Sequence, residues 1–305
     1  MPKVIAYRLL QFPLILAVIY LLTFWLCWVA PGDPFEGEKN MAPEVLKNLR
    51  EQFHADEPAK FLAYYPWRIL TAGDLGKSMR YRDFSVNDIV RDSLPVSITL
   101  GMFALTIGLV GGVGLGTLAA VRRGGVWDWL SLSLALIGIS LPSFVVAAAL
   151  LMAASQAGGW LPVGGWGGLA KVVLPGLALS LAPMAYIARL TRVAMLDVLG
   201  ADYVRTARAK GLGKTLVVWK HCLRNAFLPV LSYLGPAAAT TLTGSFVVET
   251  VFNIPGLGQH FVNSVLNRDR TMILGVVLVY SVFLLTFNLL VDIAYSWVDP
   301  RIQAG

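Results

Sequence analysis

Apolar residues dominate six stretches of the chain, approximately Leu9 to Ala30, Ile98 to Val121, Trp129 to Ala154, Val172 to Ala188, Pro229 to Val248 and Met272 to Ala294. Each approaches the roughly 20 apolar residues that a helix needs to cross a hydrocarbon core. The pattern therefore predicts an all-α integral membrane protein with six transmembrane helices. The fourth run is short and holds Pro175 and Pro183, so its ends are poorly marked. Lys3 and Arg8 precede the first run as they would in a signal peptide, but bulky Trp28 stands where a small residue is wanted, and we read the run as a retained helix.

Polar connections carry their own patterns. After the first run, Ala42-Pro43-Glu44 has the start signal of a helix, with Val45, Leu46, Leu49 and Phe53 on one stripe. The aromatic stretch FLAYYPWRIL follows; Pro66 is expected to break it, and it reads as a surface segment at the membrane, either a folded cap or a docking face. In the second run Gly108, Gly112 and Gly116 recur every four residues, a spacing that lets another helix approach closely.

Composition agrees with the runs. Hydrophobic residues make up 56% of the 305 and charged residues only 14%, with a mean hydropathy of +0.66. The net charge of +7 could suggest nucleic acid. Its carriers instead lie between apolar runs, as orientation in a bilayer requires, so we expect membrane lipid and no nucleic acid as partner. Lys3 and Arg8, then Arg122 and Arg123, then the stretch from Arg189 to Arg224 mark the cytoplasmic side. The uncharged SQAGGWLPVGGWGG and the segment from Val251 to Arg270 face outward, which leaves both termini inside. Residues 1–93 then hold the first span and a long outer segment, residues 94–296 a five-helix core with a cytoplasmic loop at 193–228, and residues 297–305 a cytoplasmic tail.

Candidate chemistry is sparse. Cys27 and Cys222 have no metal-binding pattern around them and read as structural. No H-E-x-x-H or G-x-S-x-G motif occurs, and His54, His221 and His260 fall in connections on both sides. We expect no catalytic, cofactor or metal residue. No ionisable side chain sits near the centre of a span, which argues against an ion-coupled carrier. Gly211-Leu212-Gly213-Lys214-Thr215 looks like the end of a phosphate loop, but Arg208 stands where the first glycine should be, and the residues before it read as helix rather than strand. Asp202 is placed to cap a helix from Tyr203 to Lys210, which Gly211 would end. A second helix is expected from Lys214 to Phe227, with Leu216, Trp219, Leu223 and Phe227 on one face and Lys220 and Arg224 on another. Such a pair suits either anionic lipid or a groove in a cytoplasmic protein.

The segment YVRTARAKGL with RNAFLP after it resembles the EAA loop of ABC-transporter permeases in the oligopeptide, dipeptide and nickel branch. Arg205, Thr206 and Ala207 stand at the Glu-Ala-Ala positions, and Gly211 is the family glycine. APGDPFEGE, RDFSVNDIVRDSLPVS, ISLPSFVVA and GSFVVETVFNIPGLGQHFVNSVLNRD are similar to the B-type subunit of oligopeptide permeases, so the likeness covers nearly the whole chain. Arg205 departs from the acidic residue that names the loop, so contacts known from other branches do not transfer atom by atom.

The resemblance implies a type I ABC importer permease fold in a bacterial inner membrane. It implies one half of a pathway for peptide substrate, paired with a homologous second permease and supplied by an extracytoplasmic peptide-binding protein. Two cytoplasmic ABC ATPases would bind the ATP and Mg, and Tyr203, Arg205, Thr206, Ala207, Arg208 and Gly211 would couple this chain to them. Dipeptide, glutathione or nickel import by the same branch, and a membrane scaffold without transport, are the alternatives.

Overall fold

The structure is a computed structural model that describes residues 2–35, 42–81, 84–156 and 162–298. The end of APGDPFEGE, Arg82 and Asp83, residues 157–161 of the third connection and the tail from 299 lie outside the described residues. In chain order the helices are α1 (Pro2–Val29), α2 (Pro43–Gln52), α3 (Pro58–Ala72), α4 (Val86–Val121), α5 (Val126–Ser140), α6 (Ser143–Gln156) and α7 (Leu169–Leu199). There follow α8 (Asp202–Ala209), α9 (Lys214–Leu216), a π-helical turn (Val217–Cys222), α10 (Leu223–Ala226), α11 (Leu228–Val251), α12 (Leu257–Leu266) and α13 (Arg270–Val298). Among the described residues the β-structure is one isolated bridge, Lys77 to Ser85. Helix α1 from Ala6, α4, α7 and α13 are each long and apolar enough to cross a membrane, and two bent pairs bring the number to six if each counts as one span.

The chain divides into two compact units, one of Ala6–Val96 with Pro255–Leu285 and one of Ser97–Ile254 with the terminal residues. In the first, Tyr20 on α1, Phe61 and Tyr65 on α3 and Leu274 on α13 form a buried cluster edged by Phe24 and Trp28. Helix α3 runs through Pro66 without a break, contrary to the expectation from FLAYYPWRIL. Proline denies the carbonyl four residues back its helical partner. That carbonyl, on Leu62, accepts a hydrogen bond from the Tyr20 hydroxyl at 3.1 Å. Tertiary packing has supplied the missing donor, and the helix survives.

Leu46, Leu49 and Phe53 of α2 pack on Phe35, Ala55 and Met79 as their stripe predicts, whereas Val45 is exposed. The turn after α3 is held by Asp74, on which Arg68 forms an ion pair while the Gly76 N–H donates at 2.8 Å. Burial pushes the Asp74 carboxyl up, but these two donors outweigh it and hold it below the usual range.

In the second unit, the glycine stripe of α4 lies against α7. A Cβ on Gly112 would stand 2.8 Å from the Met184 carbonyl oxygen, and one on Gly116 would overlap the Ala188 carbonyl. Backbone meets backbone there, the packing role that small residues serve between membrane helices. The third apolar run, expected as one span, is two helices, α5 and α6, bent by 107°. Pro142 explains the break: it lacks an N–H and forces the residue before it out of helical geometry, and Leu141 is extended at φ −93°, ψ 126°. The fourth run, by contrast, continues through both of its prolines to Leu199. Near the end of α7, Arg192 grips the buried Asp128 of α5 with two hydrogen bonds, at 2.5 and 2.9 Å. Such paired, charge-assisted contacts fix geometry more firmly than a single bond.

Candidate functional site: the segment after α7

The residues of the near-match to a phosphate loop follow a helix. Helix α8 occupies the place where a nucleotide-binding loop needs a strand, so the chain path excludes that reading. The N-cap of α8 is Ala201, without a side-chain cap bond. Asp202 does not cap, because it has already entered the helix as the first helical residue. It pairs instead with Arg205 at 3.5 Å, both side chains largely exposed.

At the other end the expectation for Gly211 holds. Its φ is +78°, in the left-handed region that favours glycine. The Gly211 N–H donates to the Arg208 carbonyl at 2.9 Å, and the Leu212 N–H donates to the Ala207 carbonyl at 3.3 Å. These two bonds make a Schellman motif, which turns the chain sharply and satisfies carbonyls that a helix end would otherwise leave open. Leu212, the residue after the glycine, packs on the same cluster as Ala207.

That cluster is the foot of the segment. Val204 and Ala207 from α8, Val217 and Cys222 from the π-helical turn, and Ala226 from α10 are buried together with Met195 of α7 and Ala120 of α4. Full burial of Val204 alone contributes about 1.5 kcal/mol or more, against about 0–1 kcal/mol for an exposed ion pair such as Arg205 with Asp202. Packing therefore holds α8 in place. Asn225 adds a strut, donating to the Tyr203 hydroxyl at 2.9 Å across the turn.

Tyr203, Arg205, Thr206, Arg208 and Gly211 are exposed, whereas Ala207 faces the foot. The structure thus brings five of the six candidate residues to the surface of one turn and assigns the sixth to the core. Arg205, Arg208, Lys210, Lys214, Lys220 and Arg224 are all exposed, which leaves the surface strongly positive.

The π-helical turn decides which residues of the second helical stretch face inward. Leu216 and Trp219 are exposed, and Val217, Cys222 and Ala226 are inside. A π-helical turn closes hydrogen bonds at i→i+5, so its inward positions recur about every fifth residue rather than every third or fourth. Val217 to Cys222 is that spacing. Asn225 and Leu212 were not singled out for structural roles; a glycine-Leu pair after a helix is the one signal that could have found Leu212. Among the described residues no group of three or more His, Cys, Asp or Glu could hold a metal ion.

Apolar helices long enough to span a bilayer, with a short exposed helix set on a packed foot after α7, define a membrane-integral helical protein. The chain belongs to the family of binding-protein-dependent transport system inner membrane components, whose model matches residues 112–304. It is 42% identical over 305 residues to the oligopeptide transport system permease protein OppB of Escherichia coli strain K12, covering 99% of this chain and 100% of that protein. It is 44% identical over 286 residues to the dipeptide transport system permease protein DppB of Bacillus subtilis strain 168, covering 94% and 93%. Among solved structures, an inward-facing form of the MetNI methionine ABC transporter aligns with a TM-score of 0.55 at 20% identity, over 69% of this chain and 96% of that one. An amino acid ABC transporter with histidines gives 0.54 at 18%, over 68% and 94%. At that identity the likeness is one of fold, the type I ABC importer permease fold.

Proposed function

We propose that this chain is the permease subunit of an ATP-driven, binding-protein-dependent peptide importer in a bacterial inner membrane. It forms half of the translocation pathway beside a homologous second permease, receives peptide from an extracytoplasmic binding protein, and works with two cytoplasmic ABC ATPases that hold the ATP and Mg. Residues 1–93 carry the first span and the outer segment, residues 94–296 the core, and residues 297–305 a tail; both termini lie in the cytoplasm. The coupling loop is 193–228.

The observation that carries this reading is α8: a short helix whose Tyr203, Arg205, Thr206 and Arg208 are exposed while Val204 and Ala207 tie it to helices that continue into the spans. Closure of the ATPases moves α8, and because the foot is packed on Met195 of α7 and Ala120 of α4, those two helices move with it as rigid bodies. Coupling of this kind requires only that the two states of the spans interact differently with the two states of the ATPases. Ala207 serves by filling the foot rather than by touching the partner.

A dipeptide substrate is the second reading, favoured by the dipeptide permease among the relatives. Reconstitution in proteoliposomes with the second permease, the ATPases and the binding protein should give ATP-dependent uptake of labelled peptides, and competition between dipeptides and longer peptides decides the class. The chain alone should hydrolyse no ATP. Hydrolysis by the isolated chain, or uptake that persists without the ATPases, would overturn the assignment.

A further inference from the structure

The first compact unit holds a cavity of about 430 Å³ that the proposed transport function does not use. Its walls come from the end of α1, from α12 and from the start of α13, with Leu26, Phe261, Val265, Ile273 and Val277 supplying apolar surface. Along α1 it runs from Thr23 to Ala30, about 10 Å of helix axis. At the end away from the middle of α1 and α13 stand two guanidinium groups, Arg268 and Arg270.

Both arginines are positioned by their surroundings. Arg270 lies over the Trp28 ring, 4.3 Å from its centroid, and donates to the Ala55 carbonyl at 3.1 Å. Arg268 is one of three residues other than glycine with positive φ among the described residues, at +58°. Its side chain lies directly against Gly32, where any Cβ would overlap the guanidinium, and Gly32 itself has φ +111°. The left-handed backbone of Arg268, set against a glycine that has no side chain to obstruct it, thus places one cation at the rim. Nearby, Arg50 pairs with both Asp33 and Asp56, at 3.2 Å for the latter. Asp269 accepts from the Ser78 hydroxyl and, at 3.0 Å, from the Met272 N–H.

An apolar slot at the depth of a membrane helix end, with paired guanidinium groups at its mouth, complements an anionic head on a hydrocarbon tail. Guanidinium binds phosphate with two parallel hydrogen bonds, and the slot offers the acyl chain walls as apolar as the bilayer. We propose that this cavity binds one anionic phospholipid of the surrounding bilayer, with its phosphate at Arg268 and Arg270 and an acyl chain between α1, α12 and α13. The proposal does not depend on the transported substrate.

The test is native mass spectrometry of the full chain in detergent, titrated with phosphatidylglycerol, with phosphatidylcholine and with glycerol phosphate, which has the charge without the tails. Each guanidinium near a phosphate should favour the anionic lipid by about fivefold, so the wild type should retain one phosphatidylglycerol with a preference of about tenfold or more over phosphatidylcholine. Glycerol phosphate should not displace it. Arg268→Gln, an exposed position, should lower the preference several-fold while some lipid is still retained, and Val277→Trp, which fills the floor of the slot, should remove both lipids. Equal retention of the two lipids by the wild type, an unchanged preference in Arg268→Gln, or displacement by glycerol phosphate or by a short acidic peptide would overturn the proposal.

Discussion

Gly211 and Gly213 stand two residues apart, and the structure gives them opposite roles. At Gly211 an added Cβ meets no atom within 4 Å, so the cost of a side chain there is backbone cost alone. With φ at +78°, an L-residue costs about 1–2 kcal/mol, and a β-branched one stands at the upper end. If Gly211→Val instead leaves the left-handed region, it gives up the bonds from Gly211 to Arg208 and from Leu212 to Ala207, each contributing about 0.5–1.5 kcal/mol. The first route disfavours the native turn by a factor of about 5–30 and the second by about 5–150. Gly213 has φ −60°, ψ 143° and open space around it, so Gly213→Ala fits and should be neutral or stabilising by about 0.4–1 kcal/mol through the unfolded chain. In the reconstituted complex, ATP affinity and peptide-stimulated ATP hydrolysis should be measured together. Gly211→Val should keep ATP affinity and lose most of the stimulation, Gly211→Asn should lose less, and Gly213→Ala should behave as wild type. Loss of ATP affinity in Gly213→Ala, with Gly211→Val unaffected, would refute the reasoning and restore a phosphate role for the sequence.

Three further outcomes follow from contacts elsewhere. Tyr20→Phe removes the donor to the Leu62 carbonyl and should destabilise the detergent-solubilised chain by about 1–3 kcal/mol. In a Pro66→Ala background the helix can supply its own N–H, so thermal melts should show a smaller loss. Gly112→Ala should impair assembly because its Cβ meets the Met184 backbone, whereas Gly114→Ala, with nothing within 4 Å, should not; size-exclusion yields compare them. His260 sits edge-on to Tyr81 with ring centroids 6.1 Å apart, and burial holds its pKa below the ordinary value. The folded chain then binds fewer protons than the unfolded one, so stability should fall as pH drops below about 6.5, and His260→Phe should flatten that part of the melting profile.

Long apolar runs were legible because their signal is additive over 20 residues; single prolines were not. Pro142 broke a span that looked continuous, while Pro66, Pro175 and Pro183 left their helices unbroken. The difference at Pro66 is Tyr20, which lies 46 residues away and donates the missing bond, a partnership that no local pattern contains. Around the candidate site, Gly211 was readable because a glycine after a helix has a conformational reason to be there. That Val217 and Cys222 would be the inward residues was not readable, since a 3.6-residue period cannot anticipate a π-helical turn. Ala207 was grouped with its exposed neighbours for the same kind of reason: the motif names consecutive residues, and a helix distributes consecutive residues around its axis.

The central claim is that the exposed side of α8 is where this chain meets an ATPase. Single cysteines at Tyr203, Arg205, Thr206, Arg208 and, as the inward control, Ala207 should be placed in a variant lacking Cys27 and Cys222, and the assembled complex treated with a short thiol-to-amine cross-linker. Adducts to an ATPase subunit are expected from the four exposed positions, changing in yield when ATP is trapped, with little or none from Ala207. Equal cross-linking from Ala207, or adducts only to lipid and to other copies of this chain, would contradict the account.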